Sequence, residues 1–249
     1  MNAESPPRET VPYGATIRMF LIQWSRSRAP YGLVAFVATL CWYDHVSNRD
    51  PHDPWTLLTS VIALSGFLIA YDTYERLRAD TSLRLILLHG ERRITLAAGF
   101  ASAAMLLGFV ATGMTLAYLV IAGRIDSTGT FARALPISLI ALAGWVIYAQ
   151  LLSLLLPRDT AAVLGVILLV FGSRSPAAWM PPGMPVLVER FVTVLWSVIP
   201  TGVRSADILN GRHVALNISV QILQITCALA AVTLVLSRRE LIARQRGDA

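Results

Sequence analysis

The side chains best suited to bind a metal stand together in one short segment. Residues 43–54 contain two histidines and three aspartates, which are Asp44, His45, Asp50, His52 and Asp53. Imidazole and carboxylate groups are common ligands of metal ions. Two prolines in the same segment favour a solvated turn instead. We therefore expect a polar turn here and no metal site.

Four amide side chains interrupt otherwise apolar stretches in the second half of the chain: Gln150, Asn217, Gln221 and Gln224. The last three are spaced four and three residues apart, so a helix places them on one face. Such a face could line a pathway for a transported molecule, or it could form hydrogen bonds between helices. The sequence leaves both interpretations open.

Several kinds of catalytic site are excluded by residue type. All 21 basic residues are arginine, whereas a P-loop and a Schiff-base site both require lysine. The chain also lacks the Gly-x-Ser-x-Gly pattern of serine hydrolases. Its apolar stretches contain almost no carboxylates, which argues against a proton-coupled transporter and an aspartyl intramembrane protease. We therefore expect no catalytic residue, no cofactor and no enzymatic activity in this chain.

The composition indicates a protein that lies in a membrane. Of the 249 residues, 55% are hydrophobic and 14% are charged, against about 25% charged in an ordinary soluble domain. Two cysteines inside apolar runs, Cys41 and Cys227, exclude a disulfide scaffold. The basic charge flanks apolar segments, which fits anionic lipid better than nucleic acid. The sequence thus predicts an all-α polytopic protein whose surroundings are the lipid bilayer.

The hydropathy pattern predicts six transmembrane helices. A span needs about 20 largely apolar residues, and four stretches qualify: Trp55–Tyr71, Ile94–Ala122, Phe131–Leu156 and Val214–Leu236. Two shorter candidates are Pro30–Tyr43 and Thr160–Gly172, the second short enough to be re-entrant. Before them, Tyr13–Arg28 has the pattern of an amphipathic helix in the membrane interface. The domain limits are a cytoplasmic head at 1–29, a transmembrane domain at 30–236 and a basic tail at 237–249.

The distribution of arginine predicts the orientation. With six spans and both termini in the cytoplasm, 14 arginines lie on the cytoplasmic side and 7 on the outer side, as the positive-inside rule requires. Without the fifth span the basic tail would lie outside. We therefore expect six spans and cytoplasmic termini.

The stretch between the fifth and sixth spans, residues 173–213, is rich in proline. Within it, Val186–Ile199 is apolar apart from Glu189, Arg190 and small polar residues, and it is too short and too charged to span. This part either dips into the outer leaflet as a re-entrant segment, shielded by neighbouring helices, or forms a surface helix.

The segment between the second and third spans, residues 73–93, begins with a cluster of charges and continues with an amphipathic pattern. Leu83, Ile86 and Leu87 share a helical face, and Gly90 ends this helix before the third span. A short charged helix in a cytoplasmic loop is a natural docking surface for a soluble partner.

This segment resembles the same loop in permeases of the ABC-2 family of ABC transporters. The family has an acidic, arginine-containing start, a run of leucines, an arginine in the turn before the third helix and a later glycine. The matching residues here are Glu75, Arg76, Arg78, Leu85, Leu87, Leu88, Arg92 and Gly99. The chain departs from the family where Asp80 replaces a glycine, His89 a proline and Phe100 a lysine. In topology the resemblance covers nearly the whole chain, from the interfacial helix to the basic tail.

The resemblance implies the membrane subunit of an exporter in the bacterial plasma (inner) membrane. A separate ATPase subunit, which binds ATP and Mg, would dock on the coupling loop and on the N-terminal helix. A second permease subunit, identical or different, would complete the pathway. Carried over by position, the docking residues are Glu75, Arg76, Arg78, Leu87, His89, Arg92 and Arg93.

Two other functions remain open from the sequence. A membrane-embedded enzyme or assembly factor would work at the outer face, with residues 173–213 and the Asp/His segment forming its site. A membrane anchor for a cytoplasmic complex would need an inner partner but no transported substrate. The substrate itself is not predicted, although a mostly apolar pathway favours an amphipathic or lipidic cargo.

Overall fold

A computed structural model of the chain describes residues 13–26, 29–46, 54–79, 93–125, 127–172, 185–198 and 202–247. Its helices within these ranges are α1 (Tyr13–Ser25), α2 (Ala29–Val46), α3 (Pro54–Ala79), α4 (Arg93–Ile121), α5 (Ser127–Leu155), α6 (Arg158–Gly172), α7 (Val186–Val198), α8 (Gly202–Leu209) and α9 (Val214–Gly247). The described residues form helices and turns and contain no strand. The predicted all-α class is therefore confirmed.

Four helices are long and apolar enough to cross a membrane. Their apolar stretches are Pro54–Thr73, Ile94–Ile121, Gly129–Leu155 and Val214–Ser237, which correspond to the four stronger predicted spans. The two marginal candidates also form helices, α2 and α6, but neither is among these four. The count of six spans therefore stays a prediction.

Two helices extend further than the apolar pattern indicated. Helix α3 continues through the charged start of the predicted coupling loop to Ala79. Helix α9 continues through most of the predicted tail to Gly247. Leucine, arginine, glutamate and alanine are strong helix formers, so a helix that leaves the apolar region has no local reason to end there.

The centre of the bundle lies where α3, α4 and α5 meet around Leu142 of α5, which is 1% exposed. A Cβ atom added at Gly66 of α3 or at Gly108 of α4 would lie 2.9 Å or 2.6 Å from the Leu142 side chain. The two glycines thus create the space that Leu142 fills. Small residues of this kind let membrane helices approach closely.

Helix α1 packs against the first turns of α4. The rings of Phe20 and Phe100 are 3.5 Å apart between centroids, and a Cβ atom at Gly99 would lie 2.7 Å from the methyl group of Thr16. Arg18 is exposed on the opposite side of α1. The apolar side of α1 thus packs on the bundle, and its predicted location in the membrane interface stays a prediction.

Helix α6 is attached to α3 at two points. The hydroxyl of Tyr71 donates a hydrogen bond to the carbonyl oxygen of Arg158, at 2.8 Å. The ring of Phe67 lies directly against Gly165, where no Cβ atom would fit. Because α6 begins beside Tyr71 and then passes Phe67, it runs antiparallel to α3.

Candidate functional site

A tight turn folds the short helix α8 back onto α9. Gly211 has a φ of +74° and donates its N–H to the carbonyl of Ile208 at 3.0 Å, while Arg212 donates its N–H to the carbonyl of Asp207 at 2.7 Å. This pair of bonds is the Schellman motif, in which glycine is favoured at the left-handed position. Helix α8 consequently packs against α9, and it also contacts α3 and α5.

A small polar cavity lies between α5, α8 and α9, and we call it the glutamine pocket. Its lining residues are Ile140, Ala141, Gly144, Trp145, Ser205, Gln221, Gln224 and Ile225. Its volume is about 10 Å³, which is close to the smallest space that holds one water molecule. Amide and hydroxyl groups thus face a space that a small polar group can enter.

The hydrogen bonding of Gln221 is incomplete. Its Nε2 donates to the hydroxyl oxygen of Ser205 at 2.8 Å, and the two residues are only 5% and 1% exposed. The Oε1 atom of Gln221 is buried and has no hydrogen-bond partner among the described residues. An unsatisfied buried acceptor costs about 1–3 kcal/mol. The pocket is therefore suited to a group that donates a hydrogen bond.

The glutamine pocket lies deep within the helices that could cross a membrane. At about 1.5 Å per residue, Gln221 and Gln224 are roughly 10 and 15 Å from the Val214 end of α9. Trp145 is about 15 Å from the Leu155 end of α5 by the same measure. The hydrocarbon core of a bilayer is about 30 Å thick. The pocket and the start of α8, which carries Ser205, therefore lie beside the middle of these helices, whereas α8 ends at Leu209 near the Val214 end of α9.

Arg204 of α8 lies within the bundle near the glutamine pocket. Tyr148 of α5 is near both Arg204 and Cys227. Tyr148 stands one helical turn beyond Gly144 on α5, and Cys227 stands one turn beyond Gln224 on α9. Arg204 belongs to residues 173–213, which the six-span prediction places on the outer side. An eight-residue helix is too short to stand out in a hydropathy profile, so nothing in that profile predicted its packing inside the bundle.

The predicted polar face is divided by the structure. Gln221 and Gln224 line the same cavity, as their spacing indicated. Gln150 is buried elsewhere and donates from Nε2 to the carbonyl of Ala97 in α4, at 2.9 Å. Asn217 donates to the carbonyl of Arg212 in the turn before α9, at 3.3 Å. Gln150 thus joins two helices and Asn217 supports a helix start, while the other two residues form the pocket.

The predicted docking residues lie around one end of the bundle or outside the described ranges. Glu75, Arg76 and Arg78 belong to the last turns of α3, beyond its apolar stretch. Arg93 is the first residue of α4. Leu87, His89 and Arg92 lie outside the described residues.

A second polar cluster joins the ends of α2 and α4. The hydroxyl of Tyr118 donates to Oδ2 of Asp44 at 3.1 Å, and Nη2 of Arg124 lies 3.6 Å from the same oxygen. Among the described residues there is no group of three or more His, Cys, Asp or Glu side chains that could hold a metal. Residues 47–53, which carry most of the Asp/His segment, lie outside the description.

The described helices, four of them long and apolar enough to cross a bilayer, suggest a transmembrane protein. Neither the scan against protein-family models nor the search of curated proteins found a match to the chain.

Proposed function

We propose that this protein is the permease subunit of an ABC-2 type exporter, driven by a separate ATPase subunit and paired with a second permease subunit. The observation that carries the transport function is the position of α8. A short helix with a polar side begins beside the middle of α5 and α9, where Ser205 pairs with Gln221, and ends near the start of α9. Interrupted helices at membrane depth occur where they are buried in protein or line a cavity. In transporters, such broken helices form the substrate site.

The arrangement around the coupling loop supports a docked partner. Helix α1 contacts the first turns of α4 through Phe20 and Phe100, and α4 begins where residues 73–93 end. The N-terminal helix and Arg93, the residue at which this loop segment ends, are therefore at the same end of the bundle. The ABC-2 resemblance implies that one ATPase touches both. A shared location allows a single soluble subunit to do so.

Co-purification of the ATPase tests this proposal. The tagged protein is purified in mild detergent from its native host, and a P-loop ATPase is sought among the proteins that accompany it. We expect the ATPase to accompany the wild type and to be lost from Glu75→Ala and Arg92→Ala. Arg190→Ala is the matched control, because Arg190 is an exposed arginine of α7, distant in sequence from the loop.

The identity of the co-purified partner and the export activity of the variants decide between this function and the two alternatives. Export of a cargo should fail in Glu75→Ala and Arg92→Ala while both variants remain in the membrane. Absence of any ATPase, under conditions that keep other ABC complexes intact, would contradict the proposal and favour an enzyme or assembly factor. An inner partner without P-loop motifs would favour a membrane anchor.

A further inference from the structure

The glutamine pocket has the size and the polar groups of a site for one water molecule. Its volume of about 10 Å³ is close to the smallest space that holds a water molecule. The buried Oε1 of Gln221 has no hydrogen-bond partner among the described residues, and Gln221 is only 5% exposed. Ser205 and Gln224 also line the cavity. A small molecule that donates to Oε1 therefore has further polar neighbours within the same space.

The chemistry of the lining argues against other occupants. Cavities that stay dry in proteins are lined by apolar groups, whereas this one contains an unpaired amide oxygen. Calcium and magnesium ions take about six or more oxygen ligands, with carboxylates prominent among them, and the described lining residues include no carboxylate. A phosphate or carboxylate group is too large for the volume. Water is thus the small polar species that the pocket fits best.

Water also suits either orientation of the Gln221 amide. With Nε2 donating to the hydroxyl oxygen of Ser205 at 2.8 Å, Oε1 is left to accept a hydrogen bond from the occupant. If the amide is rotated by half a turn, Oε1 accepts from the Ser205 hydroxyl and Nε2 takes the other position. A water molecule donates in the first case and accepts in the second. A cation, or a group with acceptor atoms alone, satisfies only one of the two.

We propose that the glutamine pocket is a binding site for a single ordered water molecule, which pairs with the Gln221 amide and joins the start of α8 to α9. Ser205 belongs to the first turn of α8, and Gln221 and Gln224 belong to α9. The water supplies a hydrogen bond beside the middle of α9, where the hydrocarbon of a bilayer supplies none. This inference goes beyond the proposed exporter and does not depend on it.

X-ray hydroxyl-radical footprinting of the purified protein in detergent tests the proposal. Ionisation of a bound water molecule produces a radical that oxidises the nearest side chains, and mass spectrometry locates the oxidised residues. Trp145 lines the pocket and is 2% exposed, while Trp55 lies outside the pocket and is 7% exposed. We expect Trp145 to be oxidised several times faster than Trp55, although Trp55 is the more exposed. Equal rates, or a faster rate at Trp55, would overturn the proposal.

A matched pair of variants shows whether this oxidation depends on the pocket. Gln221→Leu removes the amide that binds the water, so the oxidation of Trp145 should fall to the rate of Trp55. Gln150→Leu should leave the oxidation of Trp145 unchanged, because Gln150 is also a buried glutamine but bonds to Ala97 outside the pocket. Undiminished oxidation of Trp145 in Gln221→Leu would show that its radicals come from bulk solvent, and this result would overturn the proposal.

A crystal structure of the wild type, at a resolution that reveals bound water, needs no variant. We expect a water peak within hydrogen-bond distance, about 2.7–3.2 Å, of the Gln221 amide atom that does not pair with Ser205. An empty cavity at that resolution would overturn the proposal even if Gln221→Leu failed to fold. The ATPase co-purification is measured separately. A protein that retains the ATPase but lacks this water contradicts only the water site, and the reverse result contradicts only the proposed exporter.

Discussion

At the scale of single residues, Asp44 and Arg124 form a largely buried ion pair that holds α2 to α4. Their side chains are 10% and 15% exposed, and Tyr118 donates to the same carboxylate oxygen. Gly123 reaches a φ of +66° and closes α4 by donating its N–H to the carbonyl of Val120. This turn places Arg124 beside the end of α2. The ion pair is thus fixed by the backbone on one side and by Tyr118 on the other.

We expect Asp44→Asn to lower the free energy of unfolding by about 1–3 kcal/mol, because the buried charge of Arg124 loses its partner. The measurement is thermal unfolding in a mild detergent. The double variant with Arg124→Gln is the control, since it leaves no unpaired charge. It should be more stable than Asp44→Asn alone, as coupled neighbours are not additive. Purely additive effects would show that the two residues do not interact.

The glutamine residues show how far the sequence predicts a site. A spacing of three along a helix was enough to place Gln221 and Gln224 on one face, because helical periodicity is local. Nothing local links Ser205 to Gln221, since that pairing depends on the turn at Gly211. The separation of Gln150 from the pocket is likewise not determined by local sequence. It depends on how α5 packs against α4, which a single sequence does not reveal.

At the scale of helices, close packing depends on which glycines face a neighbour. Gly108 and Gly113 lie in the same helix, α4, and both could permit close approach. A Cβ atom at Gly108 would lie 2.6 Å from Leu142, whereas no described atom lies within 4 Å of a Cβ atom at Gly113. On the α3 side, a Cβ atom added at Gly66 would lie 2.9 Å from the same side chain. Leu142 therefore has little room to move away.

Gly108→Ala should destabilise the bundle by about 1–3 kcal/mol, the usual cost of overpacking a core. Gly113→Ala is the matched control, and it should be neutral or stabilising because alanine favours helix by about 1 kcal/mol over glycine. Thermal unfolding of the two variants under identical conditions gives the comparison. Equal stability of both would contradict the packing of α4 against Leu142.

Helix limits illustrate what the apolar pattern predicts and what it does not. The predicted span Ile94–Ala122 is close to the observed α4, Arg93–Ile121, because a membrane helix and its apolar stretch nearly coincide there. The predicted Val214–Leu236 matches only the first part of α9, which ends at Gly247. Hydropathy reflects the free energy of transferring side chains from water into lipid. It carries no information on where hydrogen bonding along a helix stops.

At the scale of the whole molecule, the open question is whether α6 crosses the membrane. Its 15 residues extend about 22 Å, which is shorter than a hydrocarbon core of about 30 Å. Yet α6 starts beside Tyr71, where the apolar stretch of α3 ends, and passes Phe67 with Gly165. It therefore enters the bundle antiparallel to α3. A complete crossing would need residues beyond Gly172.

Two positions answer this question, because α4, α5 and α6 are the only candidate crossings between them among the described helices. If α6 crosses, residues 79 and 190 lie on opposite sides of the membrane. If it does not, they lie on the same side. We expect opposite sides, as the six-span topology requires. Cysteines introduced by Ala79→Cys or Arg190→Cys, with Cys41 and Cys227 replaced by serine, report this through a membrane-impermeant maleimide in intact cells.

In intact cells Arg190→Cys should be labelled and Ala79→Cys should react only after permeabilisation. Ala243→Cys, near the end of α9, should behave like Ala79→Cys, since the positive-inside rule places the arginine-rich end of α9 in the cytoplasm. Matching accessibility of positions 79 and 190 would show that α6 turns back. The arginines beyond Ser237 would then lie outside if position 79 is inside, against the charge distribution on which the six-span prediction depends.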